Sequence, residues 1–325
     1  MNRFYSHGKF LLTGEYLVLD GALALALPLK LGQTLSVETR QGASLQWEAH
    51  RPDGPWFSVT LSPENLEILD CDDPPKAEKL AQILNAVKQL NPKAFEGNNL
   101  KFATRLYFDP NWGLGSSSTL IANLARWANI DPYELLKLTF GGSGYDIACA
   151  TAEQPIYYQL IDENAVCLDC SVPRNDAKRQ SEPTPMVEPV AFSPSFTKHL
   201  FYVYQGQKQS SSKEIKAFQK KVNPADLQKD MEAVSEISKA LPKCQSLDEF
   251  AMLLQCHERI IARCIGQEPV QKRFPDFEGT LKSLGAWGGD FVLAATEWDE
   301  SQVKAYFKEK GLEVVFGHNE LVLNQ

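Results

Sequence analysis

The chain has 325 residues, 33 of them basic and 41 acidic, for a formal net charge of −8. That balance offers no basic stripe for nucleic acid, though a local positive site for a charged small molecule stays open. The length suggests two domains or one large one, long enough to bury a core without disulfide or metal staples.

The first sixty residues read as β-structure. "KFLLT", "ALALALPL", "TLSVETR", "SLQWEA" and "WFSVTL" are short apolar or alternating runs separated by Gly, Pro and Asp. Residues 76–90 switch to helical spacing, with Leu80, Ile83, Leu84, Val87 and Leu90 on one face. "NLKFATRLYFD" returns to strand, and residues 116–129 are helical. Asp131-Pro132-Tyr133-Glu134 starts a short helix that Gly141-Gly142-Ser143-Gly144 ends. "YDIACATA" adds a helical turn or two, and "PIYYQL" and "AVCLD" read as strands.

Residues 171–195 carry Pro173, Pro183, Pro185, Pro189 and Pro194 with little periodicity, which predicts a linker there. The expected domains are 1–180 and 190–325. "HLFYVY" then reads as a strand, followed by helices at about 210–221, 224–241 and 246–264. The strand "GDFVLAATE", a helix ending at Gly311 and the strand "LEVVFG" complete the chain. Strands and helices mix without strict βαβ alternation, so the expected class is α+β.

Seven scattered cysteines do not suggest a disulfide framework. Cys167 and Cys170 form a lone CxxC on a strand-like run, expected to be small buried hydrophobes rather than a redox or zinc site. The sequence shows neither a signal peptide nor 18 uninterrupted apolar residues, so the expected setting is cytoplasmic, with no membrane partner.

Four stretches could carry chemistry. "GLGSSSTL" at 113–120 places two glycines and three serines before a helix. A helix N-terminus offers unpaired amides and a positive dipole end, and glycine lets a phosphate approach them. A capped helix start has the same composition. "GGSGYD" puts Asp146 behind a flexible turn, as a general base or as a helix cap. "GAWGGD" at 285–290 precedes an apolar strand, and "GKFLLTGEYLVLDG" sets Lys9 before an apolar strand and Glu15 after it. The sequences GxxxxGK[ST], GxGxxG and GxSxG are absent, which removes the main support for P-loop, Rossmann and serine-hydrolase readings.

In this order, the four stretches resemble the motifs of the GHMP kinases, named for galactokinase, homoserine kinase, mevalonate kinase and phosphomevalonate kinase. The resemblance runs from about residue 8 to about residue 295. It implies a two-domain α+β fold with the active site in the cleft between domains. It implies ATP and Mg²⁺ as cofactors, with Gly113, Leu114, Gly115, Ser116, Ser117 and Ser118 at the nucleotide phosphates and Ser117 on the metal. Asp146 matches the catalytic base and Lys9 the lysine beside it.

On the acceptor side the resemblance places Glu15, Lys208, Ser211, Ser212, Gly285, Ala286, Gly288 and Gly289. "GEYLVLDGA", "GSGYDIACA" and "GGDF" look most like phosphomevalonate kinases, while "ALALALPL" also fits mevalonate kinases. Trp112 and Trp287 stand where the family has small residues, and Ser118 replaces an alanine. Glu134 is one place off the register of the family's metal-binding glutamate, about 100° of helical rotation away.

The implied protein is an ATP-dependent kinase for a mevalonate-pathway acceptor with a hydroxyl or phosphate, a monomer or homodimer. A sugar or homoserine kinase of the same fold, or a non-catalytic binder of ATP or a metabolite, are the alternatives.

Overall fold

The structure, a computed structural model, describes residues 2–40, 44–96, 99–162, 183–206, 218, 224–285 and 290–323. Its contacts divide the chain into two compact units, Met1–Lys9 with Pro28–Ala152, and Phe10–Leu27 with Glu153–Gln325.

The chain opens with strand β1 (Asn2–Leu11) and the long strand β2 (Ala24–Arg40). In the first unit the later part of β2 is followed by β3 (Leu45–Arg51), β4 (Gly54–Leu61), β5 (Ile68–Cys71), helix α1 (Pro74–Leu90) and β6 (Asn99–Leu106). The strand order is β5-β4-β3-β6-β2, with β1 beside β2. β6 is antiparallel to β2 and parallel to β3, so Phe102 has Val37 on one side and Trp47 on the other. Leu100, Phe102, Thr104 and Leu106 are all buried, the period of two expected of a half-buried strand. Trp47 stacks on Phe102 at 5.2 Å, and Trp127 meets Phe102 edge-on at 4.8 Å.

Helix α1 begins where the Asp73 carboxylate accepts from the Lys76 amide at 3.2 Å, with Pro74 in the first turn. Leu80, Ile83, Leu84 and Val87 are buried on its inner face, and Leu90 is half-buried. Each full burial contributes about 1.5–3 kcal/mol. Helices α2 (Ser116–Ala128), α3 (Pro132–Thr139) and α4 (Tyr145–Thr151) complete the unit. Asp131 caps α3, accepting from the Tyr133 amide at 2.7 Å.

In the second unit Ala24–Ala26 of β2 pair with β7 (Ile156–Ile161), which pairs with β8 (Thr184–Pro189). β8 lies inside the expected linker. It ends the strand order, and at an edge the missing amides of Pro185 and Pro189 cost no ladder bond. A separate antiparallel sheet runs β10-β11-β9-β12, where β9 is Leu200–Tyr204, β10 is Thr280–Leu284, β11 is Phe291–Ala295 and β12 is Val315–Gly317.

Helices α5 (Pro224–Ala240), α6 (Leu247–Ile265), α7 (Glu300–Glu309) and α8 (His318–Leu321) accompany the strands. Phe201, Val292, Val303 and Phe307 share one buried cluster. The last strand is shorter than "LEVVFG" predicts, and α8 was not expected. "AVCLD", Cys167, Cys170 and nearly all of the helix expected at 210–221 lie outside the described residues. Strands and helices combine as the α+β class requires.

Candidate active site

The glycine-rich stretch forms a turn that delivers the chain into α2. Gly113 and Gly115 are left-handed, with φ of 69° and 96°. Gly115 is the cap of α2 and supplies no side-chain bond, so the first amides of the helix depend on something other than a capping side chain. A Cβ at Gly115 would stand 2.7 Å from Ser118 Oγ and 3.2 Å from Lys9 Cγ. Glycine is therefore required twice over, by its dihedral angle and by its neighbours.

The hydroxyls of the stretch divide into two groups. Ser118 and Thr119 are buried, and both donate back to the Gly115 carbonyl at 3.0 Å. Ser116 and Ser117 keep part of their surface exposed. Of the three serines, Ser118 thus builds the turn, while Ser116 and Ser117 sit at its open side.

Lys9 belongs to the same turn. Its amide donates to the Leu114 carbonyl at 3.0 Å, and its methylene stem lies against Gly115. From α4 comes Asp146, in the first turn after the left-handed Gly144, its Oδ1 accepting from the Ile147 amide at 3.1 Å. Burial raises the Asp146 carboxyl above the usual aspartate range, and the positive charge of Lys9 opposes that shift. Two phenols stand close by. Tyr145 faces Lys9, Tyr133 lies within the field of Asp131 and Asp146, and burial pushes each phenol up to about 12. Burial also raises the Cys149 thiol beside them, which keeps it protonated.

The first unit therefore brings together Lys9, residues 113–118 and Asp146. Glu134 is elsewhere, paired with Lys137 at 2.8 Å on the exposed side of α3. Among the described residues no three His, Cys, Asp or Glu side chains cluster as a metal site. For a Mg²⁺ ion the residues here offer the partly exposed Ser117 hydroxyl at the start of α2. A single neutral hydroxyl suits a cation carried mainly by phosphates and water.

The second unit holds Glu15, 3% exposed, ion-paired with the fully buried Lys282. The Lys282 ammonium also donates to the Ser283 carbonyl at 2.7 Å. The neighbouring Gly14 amide donates to His257 Nε2 at 2.9 Å, and His257 Nε2 lies 3.4 Å from Glu15 Oε2. Glu258 accepts from the Ser283 amide and hydroxyl, both at 3.0 Å. Burial lifts Glu15 to about 7 despite Lys282, and burial holds His257 well below the usual histidine range. Directly after Glu15, Tyr16 has φ 66° and ψ −49°, and the Leu17 amide donates to the Glu15 carbonyl at 2.8 Å. This is a strained three-residue turn.

Sequence reasoning missed Lys282, His257 and Glu258. A lysine inside "TLKSL" was the available signal. Gly285 is left-handed at φ 74°, and a Cβ there would meet Asp290 Oδ2 at 2.9 Å. Ala286, Gly288, Gly289 and Trp287 lie outside the described residues, as do Lys208, Ser211 and Ser212.

No protein-family model and no curated protein matches the chain. Solved structures do. A mevalonate kinase superposes with a TM-score of 0.69 at 15% identity, covering 100% of both chains. The L. major mevalonate kinase in complex with R-mevalonate gives 0.67 at 16%, covering 100% of this chain and 96% of that one. The Streptococcus pneumoniae phosphomevalonate kinase in complex with phosphomevalonate and AMPPNP gives 0.66 at 17%, covering 98% and 100%. Over essentially its full length, the chain has the GHMP kinase fold.

Proposed function

We propose that this protein is an ATP-dependent kinase that transfers the γ-phosphoryl group to a small acceptor, phosphomevalonate or mevalonate. The observation that carries the reading is the convergence of Lys9 and the half-buried Asp146 on a helix start whose turn admits only glycine at 115. Neighbours solved with R-mevalonate and with phosphomevalonate and AMPPNP support the acceptor class.

In this reading the amides at the start of α2, with Ser116 and Ser117, hold the nucleotide phosphates. Asp146 orients the acceptor oxygen and takes its proton, from a hydroxyl or from a protonated phosphate. A carboxyl raised by burial is a stronger base than one in water, and the positive charge of Lys9 favours its ionised form. The Lys9 ammonium and the dipole of α2 stabilise charge on the group in transfer. Mg²⁺, held by Ser117 and the phosphates, would supply further neutralisation when bound. Glu15, Lys208, Ser211, Ser212, Gly285, Ala286, Gly288 and Gly289 are proposed for the acceptor side.

The test is ADP release with mevalonate, phosphomevalonate, homoserine and sugars as acceptors. Turnover with either of the first two supports the assignment. Turnover only with a sugar or homoserine moves it elsewhere on the same fold, and nucleotide binding with no transfer to any acceptor ends the kinase reading.

A further inference from the structure

Lys9 is held at three points along its length. Its amide is fixed by Leu114, its stem passes over Gly115, and its ammonium reaches Tyr145. The ammonium lies 5.6 Å from the centroid of the Tyr145 ring and within hydrogen-bonding reach of the phenol oxygen. Tyr145 opens α4, immediately before Asp146 and immediately after the left-handed Gly144. The backbone that presents the Asp146 carboxylate thus also presents the phenol.

A lysine stem carries about 2 kcal/mol of rotamer entropy, so an untethered ammonium would sample many positions. A second carboxylate could tether it, but would also cancel the charge that the transferring phosphoryl group needs. A phenol that stays neutral locates the ammonium and leaves its charge in place. The ring adds cation–π attraction, modest at this distance.

We propose that Tyr145 is a positioning residue for Lys9: its neutral phenol fixes the ammonium beside Asp146 without neutralising it. The contact itself is a property of the first unit, and its catalytic consequence rests on the kinase reading above.

The experiment compares the full-length wild type with Tyr145→Phe and Tyr145→Leu. Lysines are methylated with ¹³C-formaldehyde, and the Lys9 resonance is assigned by its loss in Lys9→Arg. The ring-current-shifted Lys9 resonance should move to the free-lysine position in Tyr145→Leu and stay close to wild type in Tyr145→Phe. In turnover assays kcat should fall roughly tenfold in Tyr145→Phe and about a hundredfold in Tyr145→Leu, the size of loss that small misplacements produce. KM for ATP should stay within about threefold, because the phosphate turn is intact.

Thermal melting checks that both variants are folded. A Lys9 resonance unchanged in Tyr145→Leu overturns the proposal. So does an unchanged kcat in an enzyme that Lys9→Met inactivates. Absence of turnover in the wild type would instead remove the kinase reading, and the resonance alone would then decide the Tyr145 contact.

Discussion

The stem of Lys9 rests on the backbone of Gly115, so that a methyl group at Gly115 would stand 3.2 Å from Lys9 Cγ. The glycine turn and the lysine are one packed unit. Gly115→Ala meets Lys9 and Ser118 while adopting a left-handed dihedral angle, which costs an L-residue about 1–2 kcal/mol before any clash. ATP affinity should fall at least tenfold by calorimetry, with a Tm lowered by several degrees. An alanine variant with wild-type ATP affinity would show that the turn is not the phosphate site.

Lys9 and Asp146 are coupled by charge. Removing the ammonium in Lys9→Met should lift the Asp146 carboxyl further, since only the backbone amides then oppose the effect of burial. The acid limb of kcat against pH should move to higher pH, with kcat itself down roughly 10²–10⁴-fold, as for loss of a positioned catalytic charge. A pH profile unchanged in position would separate the two residues.

Asp146→Asn keeps the shape and removes the carboxylate proposed as base. Turnover should drop by roughly 10²–10⁴-fold while ATP binding stays within about threefold. Near-normal turnover would remove Asp146 from its role.

Lys282 and Glu15 make a second, independent prediction. Lys282→Met leaves a buried carboxyl without its cation and should cost about 3–5 kcal/mol in urea unfolding. Adding Glu15→Gln should restore part of that loss, because the remaining group is neutral. Equal destabilisation by the single and the double variant would deny the pairing.

Glu15 also sets a direction for stability against pH. Its folded value is near 7, above the usual glutamate value of 4.5, so between those limits the folded chain holds a proton that the unfolded chain has released. Its contribution is complete below about pH 4.5 and is lost as pH rises through about 7. The midpoint of urea unfolding should therefore carry a downward component over that window, and Glu15→Gln should remove it. A Glu15→Gln curve parallel to wild type would locate the titration elsewhere.

What the sequence reveals follows the range of the interactions involved. The α1 face was legible because Leu80, Ile83, Leu84 and Val87 repeat at helical spacing, and the strand β6 because its burial alternates. The glycine turn before α2 was legible because a left-handed residue next to a helix selects glycine. Lys282 was not. In "TLKSL" a lysine reads as a solvent-facing position, and only the fold supplies Glu15 as its partner from the other end of the chain. Tyr145 was hidden for a similar reason, since nothing near it in sequence announces Lys9. The strand β8 was masked by its prolines, which an edge position tolerates.

The chain leaves its first unit after Lys9 and rejoins it at Pro28. The excursion carries Leu12, Leu17, Leu23, Leu25 and Leu27, all buried. A gene fragment ending at Ala152 would contain that segment without the rest of the second unit. Its product would expose a run of leucines to solvent and aggregate. The two units cannot be cloned apart by a single cut. Separating them requires excising residues 10–27 and closing the gap with a short linker, and a circular permutant offers the cleaner route to either one alone.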